Sequence, residues 1–365
     1  MPFFIGLMSG TSLDGVDAAL VDFSAKKPRV LATDFAPFDP DLRAHLLALQ
    51  SAGENELERA ALAAGQLAQA YARGVLAVLV CAGVSADQVR AIGAHGQTVR
   101  HRPEAGFTIQ LNNPALLAEL TGIAVVADFR SRDIAAGGQG APLAPAFHQA
   151  FFAEPGQTRV VLNIGGIANA TVLAADGTVK GFDSGPGNVL MDSWCAQHRG
   201  QPFDAGGAWA SGGQVVPALL LRMLREPYFA MPAPKSTGRD RFNPGWLDRQ
   251  LAQFPHAPTT PAQDVQATLL DLTALTICDA LAGVDASLVF VCGGGAGNTR
   301  LMQRLAEIRA PAQVSDTSLL GIPPDWVEAV AFGWLAKCLV EETPANLPAV
   351  TGANGTRLLG AYYPG

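Results

Sequence analysis

Residues 5–23 read IGLMSGTSLDGVDAALVDF, two apolar segments joined by a turn of glycine, hydroxyl and carboxylate side chains. Apolar segments separated by turn residues predict β-strands at 3–8 and 16–23, and a third strand follows at 30–37. A glycine-containing turn exposes backbone N–H groups that no Cβ obstructs, and hydroxyl side chains add further hydrogen bonds. The stretch therefore predicts an antiparallel sheet whose first turn is suited to binding phosphate.

The segments that follow alternate between helical and strand patterns. They predict helices at 41–50, 55–80 and 114–120, and strands at 89–94, 108–111 and 123–129. Helices and strands in alternation indicate an α/β domain. The stretch 131–145 is rich in Gly and Pro, so we expect a loop there that is also a domain boundary or a hinge.

The opening pattern recurs at 159–188, which reads as strand, glycine turn, strand, turn and strand. We interpret the recurrence as a candidate duplication of a three-stranded unit. The rest of the chain predicts helices at 186–198, 214–225, 266–282 and 325–340, a strand at 288–292 and a long irregular loop at 227–244. We therefore predict an N-terminal α/β domain over 1–140 and a C-terminal α/β domain over 141–365, and leave open whether the final segment returns to the first domain.

Composition narrows the class of partner. The 365 residues carry a net charge of -7, with 16% charged residues and no long run of one sign. This argues against nucleic acid and membrane surfaces and favours a small molecule. The five cysteines form no CxxC pair, which is typical of a reducing compartment. No basic segment precedes the first apolar residues, and no apolar run reaches the roughly 18 residues of a membrane span, so we expect a cytoplasmic protein.

The turn from Gly10 to Gly15 differs from a Walker A loop, because Val16 stands where that motif requires lysine. Asp14 and Asp17 would repel a bare phosphate but suit a phosphate that arrives with Mg²⁺. A hairpin turn held by Asx and Ser capping is the alternative interpretation.

Two further glycine turns have the same character. NIGGIAN at 163–169 stands at the corresponding place in the second half, so two hairpins could clamp a polyphosphate between domains. GGGAGN at 293–298 follows a strand and opens a helix, where the phosphate or sugar of a nucleotide would meet the helix N-terminus. A dinucleotide fingerprint is not favoured, because Asn298 occupies its last glycine position.

Asp183 stands in GFDSGPGN, at the end of a predicted strand and beside two glycines. A carboxylate held next to open backbone is well placed to act as a general base. The alternative is an aspartate that caps the helix expected to begin near Pro186.

Several polar residues end predicted strands and could meet a ligand. His95 and His101 could bind a metal together, but no third ligand stands at a recognised spacing. Arg130 could pair with a substrate carboxylate, or alternatively with Asp128 or Asp133.

Seven motifs in order closely resemble those of the bacterial anhydro-N-acetylmuramic acid kinases. They are MSGTSLDGVDAAL, GAHGQTVRH, NIGGIAN, FDSGPGN, PKSTGRDRFNPGWL, CGGGAGNTRLM and DWVEAVAFGWLA, and the resemblance covers essentially the whole chain. The family belongs to the superfamily of acetate and sugar kinases, heat-shock ATPases and actin. The resemblance therefore implies an α/β fold of two related actin-like (ribonuclease H-like) domains around an interdomain cleft for ATP and substrate.

The resemblance also implies a set of site residues. Asp183 matches the catalytic aspartate. The residues implied to bind ATP are Gly10, Thr11, Ser12, Leu13, Asp14, Gly15, Val16, Asp17, Gly165, Gly166, Asn169, Gly293, Gly294 and Gly295. Mg²⁺ is expected mainly on the phosphates of ATP, with Asp14 and Asp17 as candidate ligands.

For the sugar we expect His95, Gln97 and Thr98 near its bridge and hydroxyl groups, and Arg130 on its lactyl carboxylate. Glu328 lies mid-helix in an apolar stretch of the predicted helix at 325–340, and we expect it to face the cleft, because carboxylates are seldom buried without a partner.

The implied reaction opens the 1,6-anhydro ring with a water that Asp183 deprotonates and phosphorylates the released 6-oxygen with ATP, giving N-acetylmuramic acid 6-phosphate and ADP for the recycling of peptidoglycan. A homodimer is also implied. The alternatives are another amino-sugar kinase of the superfamily and a nucleotide-switched, actin-like binding protein.

Overall fold

The computed structural model describes residues 3–10, 12–233 and 235–365. The chain divides into two compact units. The first runs to residue 151 and includes 320–322 and 326–365, and the second consists of 152–319 with 323–325. The helix near the C-terminus thus belongs with the N-terminal strands. The domain boundary at 140/141 stays a prediction.

The helices and strands have the following bounds. The strands are β1 Phe3–Met8, β2 Gly15–Asp22, β3 Arg29–Pro37, β4 Val89–Ala94, β5 Gln97–Arg102, β6 Phe107–Leu111, β7 Val125–Ala127, β8 Arg159–Ile164, β9 Ile167–Leu173, β10 Val179–Pro186, β11 Leu288–Cys292, β12 Gln313–Asp316 and β13 Ala361–Tyr363. The α-helices are α1 Pro40–Ala48, α2 Glu56–Ala82, α3 Pro114–Thr121, α4 Ser131–Ala135, α5 Ala144–Phe152, α6 Val189–Arg199, α7 Ala208–Ser211, α8 Pro217–Met223, α9 Pro244–Ala252, α10 Ala262–Ala280, α11 Thr299–Arg309, α12 Val327–Val340 and α13 Pro348–Thr351.

The two units share one sheet topology. The first sheet has the order β13-β7-β4-β1-β2-β3 and the second has β10-β9-β8-β11-β12. In each unit three antiparallel strands form a meander, and the first of them pairs in parallel with the next strand of the sheet. A further parallel strand follows, so five strands of each sheet have the order 3-2-1-4-5 when they are numbered along the chain. In the first unit β13 adds an antiparallel edge strand, and β5 and β6 form a separate two-stranded sheet. The five-strand order is that of the ribonuclease H-like domain, and the predicted α/β class and the recurrence of a three-stranded unit are confirmed.

Most of the predicted elements are confirmed, and three predictions are wrong. The stretch 131–145 is partly helical, because α4 and the start of α5 lie in it. The strand predicted at 123–129 is only β7, since Asp128 takes a positive φ of 57° that ends the extended conformation. The helix expected near Pro186 begins at Val189, and Pro186 is still part of β10.

Helix α2 is the central packing element of the first unit. By length and composition alone it is the one described helix that could cross a membrane. Its apolar side, however, is buried in the core of the first unit with the side chains of Ile5, Leu7, Val16 and Leu20. We therefore interpret α2 as a core helix.

Helix α12 lies on the sheet at backbone distance. A Cβ at Gly6 of β1 would lie 1.7 Å from the carbonyl oxygen of Ala329, and a Cβ at Gly93 of β4 would lie 2.0 Å from that of Phe332. Gly333 leaves corresponding room on the helix, where a Cβ would lie 3.2 Å from the Gly6 nitrogen. Glycine at these positions therefore allows α12 to pack closely on β1 and β4. The same packing determines how closely Glu328, in the first turn of α12, approaches the ends of these strands.

We expect Gly6→Ala to destabilise the first unit by about 3 kcal/mol, because backbone atoms cannot move aside as a flexible side chain would. Gly65→Ala is the matched control, since a Cβ at Gly65 in α2 meets nothing within 4 Å. Alanine should stabilise that helix by about 1 kcal/mol. Urea unfolding followed by circular dichroism measures both changes, and equal stability of the Gly6→Ala variant and the unmutated chain would contradict the packing described.

Candidate active site

Ser9, next to the first glycine turn, is fixed to Gly96, between β4 and β5, by a closed ring of hydrogen bonds. The Tyr71 hydroxyl lies 2.9 Å from Ser9 Oγ, Ser9 Oγ donates to the Gly96 carbonyl at 3.2 Å, and the Gly96 N–H donates to the Tyr71 hydroxyl at 3.1 Å. Gln97 Nε2 adds a bond to the carbonyl of Gly10 at 3.1 Å. The turn predicted to bind phosphate and the segment predicted to bind sugar are thereby held together.

Within the first glycine turn, only some of the residues predicted to bind ATP could do so through their side chains. Leu13 and Val16 are buried in the apolar core, so they can offer backbone groups alone. Ser12 Oγ donates to the exposed Asp14 carboxylate at 2.6 Å, as the capping alternative expected. Thr11, which was predicted to bind ATP, lies outside the described residues.

Two other predicted residues lie where the turn meets β2. Gly15 opens the strand, and a Cβ there would lie 2.5 Å from the carbonyl oxygen of Ala36. Asp17 is half-buried on β2. Burial raises the pKa of Tyr71, and the charge of Asp17 raises it further, which keeps the Tyr71 hydroxyl protonated.

His95 and Arg130 form a buried pair in the first unit. Arg130 donates to His95 Nε2 from Nη2 at 2.9 Å and from Nε at 3.2 Å, and to the carbonyl of Gly140 from Nη1 at 2.9 Å. Burial and the charge of Arg130 hold the pKa of His95 well below its usual range. The imidazole is therefore neutral, and its proton lies on Nδ1, because Nε2 accepts from a guanidinium that has no acceptor of its own.

Arg130 keeps the capacity to bind an anion. Three of the five N–H groups of a guanidinium are used in the bonds above, which leaves one on each terminal nitrogen. Burial lowers the pKa of Arg130 to about 10, while the charges of Glu328 and Asp133 raise it, so the side chain stays charged at neutral pH. Glu328 lies half-buried in the first turn of α12, not mid-helix as predicted, because that helix begins at Val327.

The two ion pairs considered for Arg130 do not form among the described residues. Asp128 accepts from Ser131 Oγ at 2.5 Å. The fully buried Asp133 accepts from the Gly140 N–H, from Asn346 Nδ2 and from Thr351 Oγ1, each at 2.8 Å. Asp133 thus fixes the backbone that orients Arg130.

Three buried polar atoms around the end of β4 lack hydrogen-bond partners among the described residues. They are His95 Nδ1, Gln97 Oε1 and Asn112 Oδ1. Buried polar atoms without partners are costly, so such a group indicates a place for a polar ligand or water. Thr98 differs, because its hydroxyl accepts from Gln110 Nε2 at 3.2 Å.

In the second unit, α6 begins against the second glycine turn. The N–H groups at 187–189 donate to the carbonyls of Gly165 and Gly166 at 2.8–3.2 Å. Gly187 is required there, since a Cβ would lie 2.3 Å from the Gly165 oxygen. The N–H groups of Gly165 and Gly166 donate to no acceptor in the described part of the chain. A phosphate-binding turn requires N–H groups that are available in this way.

The third glycine turn packs directly on the second. A Cβ at Gly293 would lie 2.5 Å from Asn163 Oδ1, and one at Gly295 would lie 2.4 Å from the Ile164 side chain. Gly294 lies near the amide of Asn188. Beside this turn is a cavity of about 410 Å³, which is lined by Ala296, Thr299, Met302, Ser315, Asp316, Ser318 and Leu319.

Asp183 pairs with Asn169 across β10 and β9, at a bulge that follows it in the strand. Its backbone N–H donates to the carbonyl of Lys235 at 2.9 Å, and its carbonyl accepts from the Tyr228 hydroxyl at 2.9 Å. Its Oδ2 accepts from the Thr237 N–H at 2.9 Å. The carboxylate is therefore oriented through one oxygen, and Oδ1 has no donor among the described residues, which leaves that oxygen able to accept a proton. No side chain caps the N-terminus of α6, so the capping alternative for Asp183 is not supported.

Lys235 supports this arrangement from a buried position. Its ammonium donates to the carbonyls of Tyr228 at 3.1 Å and Phe229 at 3.0 Å, and it lies 4.7 Å from the centre of the Tyr228 ring. Burial lowers the pKa of Lys235. Residues of the loop predicted as irregular at 227–244 thus bind one another and hold the carboxylate of Asp183.

A family model described as anhydro-N-acetylmuramic acid kinase matches residues 2–365. The chain belongs to the anhydro-N-acetylmuramic acid kinase family. The kinase of that name from Pseudomonas putida is 53% identical over 368 residues that cover 100% of each chain. The one from Bordetella petrii is 57% identical over 99% of this chain and 96% of its own.

Solved structures similar to this member of the anhydro-N-acetylmuramic acid kinase family are distant in sequence. The activator of the 2-hydroxyisocaproyl-CoA dehydratase from Clostridium difficile with bound ADPNP is 10% identical, with a TM-score of 0.49 over 93% of this chain and 96% of its own. A ROK family glucokinase from Streptomyces griseus is 14% identical, with a TM-score of 0.43 over 92% of this chain and 99% of its own.

Sequence reasoning missed several residues of the site in this kinase family member. Tyr71 lies within the Ala-rich and Leu-rich α2, where no local pattern distinguishes it from core. Asn112 precedes Asn113, whose side chain caps α3. Its position after a predicted strand is the one sequence feature that could have indicated a role in the site. Tyr228 and Lys235 belong to the loop whose role the sequence left open.

Burial raises the pKa of Asp183 from 3.8 to about 6, and the Thr237 N–H opposes part of that rise. We expect the carboxyl carbon of Asp183 in ¹³C-aspartate-labelled protein to titrate near pH 6, and the Thr237 amide to shift with the same midpoint. Any reaction that needs the ionised base should decline as the pH falls through this value. The Asp183→Asn variant removes the resonance and assigns it, and a midpoint near 4 would contradict the buried environment described.

Proposed function

We propose that this protein is an ATP-dependent kinase that hydrolytically opens the 1,6-anhydro ring of anhydro-N-acetylmuramic acid and phosphorylates its 6-oxygen. The observation that carries the proposal is Asp183, whose carboxylate is anchored through Oδ2 with Oδ1 left to accept a proton. It lies one strand from a glycine turn whose N–H groups are available for phosphate. Membership of the family supplies the identity of the sugar.

The nucleotide would lie along the second unit. The N–H groups of Gly165 and Gly166 would bind phosphate oxygens, with Asn169 beside them. Gly293, Gly294 and Gly295 let the backbone approach the sugar of the nucleotide, and the adjoining cavity of about 410 Å³ has room for the adenine between Met302 and Leu319. In the first unit, the turn from Gly10 to Asp17 would bind further phosphate oxygens.

The sugar would meet the polar cluster of the first unit. His95 and Gln97 present buried polar atoms without partners, and Asn112 joins them as a candidate that the structure adds. Arg130 would bind the lactyl carboxylate through its two remaining N–H groups. Thr98 is retained as a candidate, although its hydroxyl already has a partner on β6.

The proposed reaction begins with proton transfer to Asp183 Oδ1, the oxygen that Thr237 leaves free. Asp183 Oδ1 takes a proton from water, and the water oxygen forms a bond to the anomeric carbon. The bond between that carbon and the bridging oxygen breaks, and the released 6-oxygen forms a bond to the γ-phosphorus while the bond to the β-phosphate oxygen breaks. The products are N-acetylmuramic acid 6-phosphate and ADP, and Asp183 returns its proton to solvent.

Magnesium fits this site as an ion carried by the nucleotide. No group of three or more His, Cys, Asp and Glu side chains in the described part of the chain could hold a metal ion alone. Asp14 and Asp17 lie on or beside the first turn and could orient such an ion directly or through water. When bound to ATP, Mg²⁺ neutralises phosphate charge that would otherwise repel the attacking oxygen.

We further propose a cytoplasmic homodimer that serves the recycling of peptidoglycan fragments, with ATP and the amino sugar as its small-molecule partners. The net charge is -7 and the sequence contains no long run of basic residues. We therefore propose neither nucleic acid nor a membrane as a partner.

We expect ADP release that depends on the anhydro sugar and is at least about 100-fold slower in Asp183→Asn, because the amide cannot accept the proton of water. A coupled assay with Mg²⁺-ATP measures it. Asp279→Asn is the control, since this aspartate near the end of α10 belongs to no part of the proposed site. Turnover only with unbridged N-acetylmuramic acid would favour an ordinary amino-sugar kinase, and absence of turnover with either sugar would favour a nucleotide-switched binding protein.

Glu328→Gln should reduce turnover or sugar affinity by about tenfold or more, because it removes the negative charge that acts on Arg130. Steady-state kinetics with the sugar varied measure this. Glu341→Gln, at the other end of the same helix and exposed, is the matched control. Unchanged turnover and sugar affinity in Glu328→Gln would exclude this role for the residue.

A further inference from the structure

Arg239 lies across the second glycine turn. A Cβ at Gly166 would lie 3.3 Å from Arg239 Nη2, 3.5 Å from Nε and 3.8 Å from Cζ. Three atoms of the guanidinium are therefore within contact distance of this position, so the guanidinium lies next to the backbone of Gly166. A Cβ at that position would require Arg239 Nη2 to shift by a few tenths of an ångström.

The guanidinium of Arg239 has no hydrogen bond and no ion pair to any described residue. The carboxylate that acts on it is Asp192 of α6. Burial raises the pKa of Asp192 to about 7, Arg239 lowers it and Asp204 raises it, so near neutral pH the carboxylate only partly balances the arginine. Asp204 itself accepts from the N–H groups of Trp209 and Ala210 at 2.8 and 2.9 Å.

The backbone of the turn adds to this positive potential. The carbonyls of Gly165 and Gly166 are occupied by the first N–H groups of α6, which leaves the N–H groups of the turn for an incoming ligand. Backbone N–H groups and an arginine fork that converge on one place form a site for a phosphoryl group.

The loop that carries Arg239 also holds the base. Thr237 donates its N–H to Asp183 Oδ2, and two residues of chain span at most about 7 Å. The cation is therefore tied to the carboxylate that must stand beside the reacting end of the sugar. Of the phosphates of a nucleotide on this turn, the one that is transferred lies toward that carboxylate.

We propose that Arg239 is a catalytic residue that stabilises the charge on the phosphoryl group during its transfer from ATP. The inference rests on the proposed kinase function. In the loose transition state, negative charge is spread over the equatorial oxygens of the transferring group and builds on the leaving phosphate oxygen, and a planar guanidinium can bind two of these oxygens at once. Interactions that strengthen only in the transition state raise kcat without a matching change in KM.

The test compares Arg239→Gln, Arg239→Lys and Arg239→Ala with the unmutated chain. We expect Arg239→Gln to lower kcat by about 100-fold or more, with the KM for the sugar within about threefold. Lysine should recover part of the loss, and free guanidinium in solution should recover part of it in Arg239→Ala. The control is Arg225→Gln, an exposed arginine of the same unit whose guanidinium has no bond to a described residue.

A second readout does not need turnover. ADP with aluminium fluoride mimics the planar phosphoryl group, and calorimetry should show that Arg239→Gln loses tenfold or more of the affinity for this pair while its affinity for ADP alone is unchanged. The inference is overturned if kcat and aluminium fluoride binding match those of the unmutated chain, or if only the KM for ATP rises. Absence of sugar-dependent turnover in the unmutated chain would overturn the proposed function instead, and aluminium fluoride binding would still decide the role of Arg239.

Discussion

The proposed chemistry depends on how one residue, Asp183, is held within β10. A bulge interrupts the ladder with β9 just after it, and the loop that follows α8 satisfies both its backbone groups. An ammonium without a carboxylate partner is costly to bury, and Lys235 offsets that cost with two carbonyl oxygens and an aromatic face. What this arrangement provides is a carboxylate fixed through one oxygen, with the other left as a base. Since the same loop carries Arg239, the base and the cation over the second glycine turn are positioned by one set of contacts.

In the first unit, the close packing of α12 on the sheet positions the residues of the candidate site. Gly6 and Gly93 allow α12 to lie on β1 and β4 at backbone distance. This close packing places the Phe332 ring against the His95 ring, with 4.6 Å between the ring centres. It also brings Glu328 close enough to Arg130 for its negative charge to raise the pKa of Arg130. The ring of bonds among Tyr71, Ser9 and Gly96 then ties the glycine turn to the same strand end. The phosphate turn and the polar cluster are therefore one rigid structure, as a site that must orient two reactants requires.

The sequence was sufficient for the strand and turn framework and for the glycine motifs, because alternating apolar segments and glycine turns have local signatures. It was not sufficient for residues that act through distant partners. Tyr71 is buried in a helix of ordinary core residues, and only the fold shows that its hydroxyl reaches Ser9 and Gly96. Lys235 belongs to the loop predicted as irregular at 227–244, and only the fold shows that its side chain is buried against Tyr228. The loop predicted at 131–145 contains α4, whose Asp133 is fixed by groups more than 200 residues away in the chain.

The central claim is that the reaction adds water, which Asp183 is proposed to activate, and does not phosphorylate a hydroxyl of the intact sugar. The mass of the phosphorylated product tests it most directly, because the anhydro sugar retains a free hydroxyl that an ordinary kinase could phosphorylate without opening the ring. The account predicts a product heavier than the substrate by one phosphoryl group and one water, with the phosphate on the 6-oxygen. A product heavier by the phosphoryl group alone, with the bridge intact, would contradict it.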